Sequence, residues 1–292
     1  MLRAGRVSVA GTVATGTNQR KHHSVAVYSL RRFTDEDGLL WPYDTRACKI
    51  LRGAERPGPK GAGWIANLNS TKTAAGWNAD VEDWLAREID DPGAKLLDRL
   101  LSAGLVDHAD RDKYSEVINA QMLRTPQGYR FLGETSPDAL TRDELRERLR
   151  DALQQDGGWL LSEQAWTLLH PPTQRSFVVS DNPVSSRALH WPEGAASTVP
   201  IVSTRERGIV PAPQVTWPLT PTACLEVKMG PRKWLGHRDI SVGELLEINL
   251  RTAMAADRWV WANSEDSVVA LARDVAESSL VPFSTQLGTW PR

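Results

Sequence analysis

The patterning of this chain changes character near residue 160, and that change limits the possible folds more than any other feature. From Asn78 to Asp156 apolar residues recur at helical spacing. "NADVEDWLAREIDD" predicts a helix opened by Asn78, with Val81, Trp84 and Leu85 on one face, and ended by Pro92. "GAKLLDRLLSAGL" predicts a second, with Leu96, Leu97, Leu100 and Leu101 as its apolar stripe. "DRDKYSEVINAQMLR" is a third, broken before Pro126, and "TRDELRERLRDALQQDGG" a fourth. Thr141 and Glu144 make a capping box for the fourth, and Gly157 and Gly158 end it. Strand patterns then take over. "AWTLLHPPTQRSFVVSDNP" predicts two strands joined by a Pro-Pro turn, and "STVPIV" and "VTWPLTPTACLEVKM" predict more, with prolines that favour sheet edges. Helix returns in "SVGELLEINLRTAMAADRW", with a capping box at Ser241 and Glu244. "WVWAN" is a short strand, and "SEDSVVALARDVAESS" a last helix facing inward through Val268, Leu271, Ala272 and Val275. Helices gathered in the middle and strands in the second half predict an α+β fold. The helical middle should pack on a mainly antiparallel sheet formed largely by the second half.

The 292 residues, 41% hydrophobic and 24% charged, are enough to bury a core. No linker divides them. Residues 1–20 read as a flexible basic arm and 21–292 as a single domain. In "HHSVAVYSL" the alternation around Val25 and Val27 favours a strand, while Val25, Tyr28 and Arg32 fit a helical face. "GLLWPYD" reads as a strand and "RGAERPGPKGAGW" as a loop.

Net charge is −1, so the chain as a whole carries no bias toward nucleic acid or acidic membrane. Locally, Arg3, Arg6, Arg20, Lys21, Arg31 and Arg32 precede the first acid, Asp35, while acids outnumber bases from Asp80 to Asp156. The basic start either pairs with the acidic middle or faces an anionic partner. Two cysteines without a CxxC exclude a cysteine zinc site and a disulfide scaffold, and fit a reducing cytoplasm. No apolar run has the length of a membrane span. Twelve tryptophans against four tyrosines and four phenylalanines either serve separate packing contacts or line a cleft.

Several chemistries lack their motifs. There is no Walker loop, no GxSxG elbow and no dinucleotide fingerprint, so no cofactor is named. His22 and His23 are adjacent and face apart on a strand, which leaves a metal site undefined. Three polar positions stand beside apolar runs. Arg124 ends a helix, where it either binds a carboxylate or phosphate in a fork or caps carbonyls. Asp181 and Asn182 follow Val178 and Val179 in "VVSDNPV", as a structural turn or as one wall of a cleft. Glu82 lies in a first helical turn, where it complements the helix dipole.

"HHSVAVYSLRRFTDEDGLLWPYD" resembles the opening motif of a bacterial family named domain of unknown function 4238. "VEDWLAREID", "QMLRTP", "VSDNPV", "WPLTP" and "DRWVWANSED" resemble its later landmarks, in the same order, so that the likeness runs from His22 to Asp266. The resemblance implies recurrent polar positions at His23, Arg31, Glu82, Arg124, Asp181 and Asn182. Ser24 stands where the family has an aromatic residue, and Ala26 and Val27 stand where it has Pro-Gln. Three functions follow. The first is a hydrolase or transferase on a phosphate-bearing or other anionic substrate, nucleic acid included, with His23, Arg124, Asp181 and Asn182 as catalytic candidates and Arg31 and Glu82 as substrate-binding ones. In it His23 is the general acid or base, and His23, Arg124 and Asp181 approach one another where helices meet sheet. The second is a binding module for nucleic acid or protein. The third is a small-molecule enzyme with a tryptophan-lined pocket.

Overall fold

The computed structural model describes residues 21–73, 76–103, 107–134, 141–156, 159–187, 214–228, 230 and 235–278. The 1–20 arm, the Gly157–Gly158 helix end and "STVPIV" lie outside them. Both periodicities of "HHSVAVYSL" are used, one after the other. Strand β1 (Lys21–His23) gives way to the single turn α1 (Val27–Leu30) and a 3-10 turn to Phe33, which buries Leu30 and Phe33 completely. β2 (Trp41–Asp44) and β3 (Lys49–Ile50) follow, then a Gly/Pro segment with two 3-10 turns. β4 (Trp64–Ala66) returns antiparallel to β1, and β5 (Thr71–Thr73) pairs with β6 (Gly76–Asn78).

Helix α2 (Asp80–Trp84) is capped by Ala79, one residue after the expected Asn78, whose side-chain oxygen accepts the Asp80 amide at 2.8 Å from just outside the helix. Pro92 does not end it. The winding widens to a π-helix over Leu85–Asp90 and resumes as α3 (Asp91–Ala103). A proline lacks the amide an α-helix needs and crowds the carbonyl four residues back. Here it falls in the first turn after the change of winding, where that amide is dispensable. α4 (His108–Leu123) does break before Pro126, but a further helix, α5 (Pro126–Glu134), begins there with Thr125 accepting the Gly128 amide at 3.1 Å. A Cβ on Gly128 would collide with the Leu123 carbonyl, so the sharp α4–α5 corner requires glycine. α6 (Arg142–Asp156) carries the expected capping box, with bonds of 3.3 and 2.7 Å between Thr141 and Glu144. The short α7 (Trp159–Ser162) leads into the sheets.

The remaining elements are β7 (Ala165–His170), β8 (Val179–Ser180), β9 (Ser185–Arg187), β10 (Gln214–Thr220), β11 (Ala223–Lys228), β12 (Gly236–Asp239), α8 (Val242–Ala255), β13 (Trp259–Ala262) and α9 (Glu265–Glu277). The fold is α+β, with two main sheets where one was expected. One runs β12-β7-β11-β10-β9, antiparallel except for β12 against β7. The other runs β3-β2-β13-β8, so first-half strands complete a sheet begun in the second half. β7 and β8 are not a hairpin, because the chain after Pro171-Pro172 crosses from one sheet to the other. Pro218 sits in an interior strand, at a bulge and beyond Gln214–Thr216, the stretch that pairs with β9.

One large apolar cluster joins helices to the five-stranded sheet, including Leu97, Ile118, Leu149, Trp166, Trp217 and Leu225. Tyr114 stacks on Trp217 with ring centroids 5.7 Å apart. A second cluster packs Val260, Val268 and Leu271 between the four-stranded sheet and α9, and a third gathers Val25, Phe33 and Trp261.

Candidate active site

Alternation along β1 buries His22 and turns His23 to the opposite face. His22 Nδ1 accepts the Asn69 amide at 3.0 Å, and Nε2 lies 3.2 Å from the Ser70 hydroxyl. An Nδ1 that accepts is unprotonated, so His22 is held as the neutral Nε2–H tautomer. Asn69 carries the network onward. Its amide group donates to Glu82 Oε2 at 2.6 Å, and its carbonyl accepts from the Tyr129 hydroxyl at 2.7 Å. Arg146 braces this loop by donating to the Asn67 and Leu68 carbonyls, each at 2.8 Å.

His23 occupies the other side of Glu82. Burial raises the pKa of the Glu82 carboxyl, against the Asn69 side-chain amide and the nearby Arg124 charge. Burial lowers the pKa of the His23 ring; a hydrogen bond to the Lys60 backbone opposes this, Arg124 lowers it further, and Asp90 raises it. Arg124 caps α4 and is 2% exposed. Its Nη1 donates to Asp90 Oδ1 at 2.7 Å. Gln121, one turn earlier, ties α4 to β1 by donating to the Ser24 carbonyl at 2.7 Å. Glu82 and Asp90 both act on the Arg124 charge. In a regular α-helix residues eight apart point ~80° away from each other. The wider π winding between them lessens that angle, and such π segments recur at functional sites. Tyr28 completes the cluster; burial and the Asp90 charge hold its hydroxyl protonated.

Three buried polar atoms in this cluster have no partner among the described residues: Nε2 of His23, and Nε and Nη2 of Arg124. Nε and Nη2 form one edge of the guanidinium, the geometry that grips two oxygens of a carboxylate or phosphate.

The structure therefore brings His23, Glu82 and Arg124 into one electrostatic cluster. Asp181 does not join them. Its carboxylate accepts the amides of Asp257, Arg258 and Trp259 at 2.7, 2.9 and 2.9 Å, pinning β8 to the turn before β13. Burial and the charge of Asp257 push this carboxyl up to about 7, against the three amides. Asn182 is likewise engaged in packing, bonded to Gln127, to the Ala255 carbonyl at 3.1 Å and to the Thr125 hydroxyl at 3.3 Å. It reaches the cluster only through Thr125, the neighbour of Arg124. Arg31 is exposed on the 3-10 turn. His22, Tyr28, Asn69, Asp90 and Tyr129 escape the sequence-based selection. Only His22 leaves a trace there, through the alternation that places it opposite His23.

A cavity of about 500 Å³ has walls that include Trp64, Trp259, Trp261, Arg46, Arg258 and Asp181; it meets the cluster through Ser24, the chain neighbour of His23, and through Pro126, while His23, Glu82 and Arg124 are not in its lining. The β1–β4 register sets His23 directly opposite Trp64, so both side chains share one face of the ribbon. Lys21 shares it too, with Nζ 4.5 Å from the Trp64 ring centre. Trp64 donates to the Gly61 carbonyl at 3.1 Å.

Among the described residues no three His, Cys, Asp or Glu side chains gather so as to hold a metal ion, and no helix is long and apolar enough to cross a membrane. No curated protein and no solved structure matches the chain. A family model matches residues 21–266, the span from the double histidine to "DRWVWANSED"; the chain belongs to that family, described as protein of unknown function (DUF4238).

Proposed function

We propose that this protein is a hydrolase or transferase acting by acid–base chemistry on a phosphate-bearing substrate at the His23–Glu82–Arg124 cluster. The observation that carries this is the set of buried, unpartnered atoms on His23 and Arg124. Nε2 is buried without a partner among the described residues, and we assign the ring's lone pair to it and the proton to Nδ1. Burial lowers the ring's pKa, so that lone pair is available at neutral pH to take a proton from water or an attacking hydroxyl. The Nε–Nη2 fork of Arg124 holds two phosphate oxygens and offsets charge that builds there. Glu82, its pKa raised by burial, keeps a proton more readily than a surface carboxyl and returns it to the leaving group. Cys48 and Cys224, both free thiols, support a reducing compartment such as the cytoplasm.

Calorimetric titration with inorganic phosphate tests the binding half. Wild type should bind, Arg124→Lys should bind at least about ten-fold more weakly because a point charge replaces the fork, and His23→Gln should bind without turning over phosphomonoesters or phosphodiesters. Absence of phosphate binding by the wild type refutes the proposal.

A further inference from the structure

We infer that the substrate is a nucleotide whose base is held in the tryptophan-lined cavity; this rests on the proposed phosphate chemistry at His23 and Arg124. The cavity, about 500 Å³, has the size of a small-ligand site. Trp64 is its distinctive wall. The other large aromatic side chains around it are more buried, but Trp64 is 37% exposed. Its indole N–H is bonded to the Gly61 carbonyl at 3.1 Å, so the ring is a fixed plane rather than a loose surface group. Such a plane suits the π-face of a base. The opposite side is tightly built as well. Gly63 has φ +61, and a Cβ there would stand 3.0 Å from Leu30 and 3.6 Å from Trp261, so the loop lies directly on the Trp261 floor.

The charges select among ligands. Tryptophans with acids nearby also describe a cage for a quaternary ammonium group. Of the three acids in the lining, Asp181 is engaged by three amides, Asp257 by Arg46 at 3.0 Å and Arg130 at 3.2 Å, and Glu55 by Lys49 at 3.4 Å on the exposed rim. Protein cations stand over one face of each ring, Lys21 over Trp64 at 4.5 Å and Arg258 over Trp259 at 4.6 Å, so a base would stack on the face of Trp64 that Lys21 leaves. A cationic ligand would meet occupied acids and resident positive charge. A planar ring with hydrogen-bonding edges and an anionic tail meets indole faces, guanidinium donors and Lys21. The ribbon register decides where the tail goes, because Trp64 and His23 share one face of β1–β4. A base stacked on Trp64 directs its phosphate toward His23, whose ring also feels the Arg124 charge.

The test is calorimetry on the full chain with the four ribonucleoside monophosphates, ribose 5-phosphate, inorganic phosphate and choline. At least one nucleotide should bind about ten-fold or more tightly than ribose 5-phosphate, the gain expected from one stacked base. Trp64→Ala should abolish that gain and leave inorganic phosphate binding unchanged, while Trp64→Phe keeps most of it; thermal melting checks that both variants are folded. If phosphate binds but the base adds nothing, if choline binds better than any nucleotide, or if Trp64→Ala has no effect, the nucleotide inference is overturned and the phosphate chemistry stands. If neither phosphate nor any nucleotide binds, both fall together.

Discussion

Replacing Arg124 by methionine should make this protein more stable while abolishing its binding of phosphate. Arg124 is 2% exposed, yet among the described residues only Nη1 has a partner, the Asp90 carboxylate at 2.7 Å. Asp90 keeps 28% of its side-chain surface exposed, so after the substitution it is still hydrated and loses ~1 kcal/mol of pairing. Against this, two N–H groups now buried without partners each cost about 1–3 kcal/mol. Methionine removes both and adds apolar burial worth roughly 1–2 kcal/mol. The balance is a variant about 2–7 kcal/mol more stable than the wild type, whereas breaking a buried pair with a structural role costs about 3–5 kcal/mol. Urea unfolding with linear extrapolation measures the difference, with unchanged slopes required for the comparison. Phosphate at 100 times its dissociation constant should stabilise the wild type by about 2.7 kcal/mol and the variant not at all. A loss of 3 kcal/mol or more in Arg124→Met would show that the arginine holds the fold together and would refute the reasoning.

Three further outcomes are expected. Tyr129→Phe strands the buried Asn69 carbonyl and should cost about 1–2 kcal/mol; a double-mutant cycle with Asn69→Ala should show a coupling of similar size, and additive losses would mean that the 2.7 Å bond is not a working contact. Glu82→Gln should change the pH dependence of stability. Burial raises the folded pKa of Glu82 above that of the unfolded chain, so its contribution is full in acid and is lost as pH rises through the folded value. Wild type should therefore lose stability relative to the variant as pH rises above the ordinary carboxylate value, and urea midpoints that stay parallel through that rise would contradict this. Asn182→Ala removes bonds to Gln127, Thr125 and the Ala255 carbonyl and should cost about 2–3 kcal/mol, while the folded fraction still binds phosphate; a stable variant that no longer binds would move Asn182 into the site.

Local chemistry settles a large part of this fold. The capping boxes at Thr141–Glu144 and Ser241–Glu244 and the inward face of α9 each depend on groups within a few residues of one another, so the sequence alone predicts them. Strand identity in "WPYD", "WVWA" and "ACLEVK" follows from the same short-range pattern. His23 and Arg124 are legible as polar groups beside apolar runs and Glu82 as a carboxylate in a first helical turn, and all three lie within the family match.

Partners distant in sequence are decided elsewhere. Whether β2 joins β13 depends on which apolar faces meet, and no local spacing encodes that; it is why two sheets form where one was expected. Pro92 stops an α-helix by its own chemistry, yet packing of Leu85 and Ile89 into the core goes with a π winding that carries the chain past it. Asp181 has the same local appearance whether it faces a substrate or three amides, and only the approach of the Asp257–Trp259 backbone chooses the amides. The sequence by itself determined the α+β class, the capped starts of α6 and α8, the break of α4 before Pro126 and three members of the cluster, because capping and periodicity act over a few residues. The tertiary structure alone supplied Asn69, Asp90 and Tyr129 and set Trp64 beside His23, because a buried polar group takes its partners from whichever elements the packing of the core brings within reach.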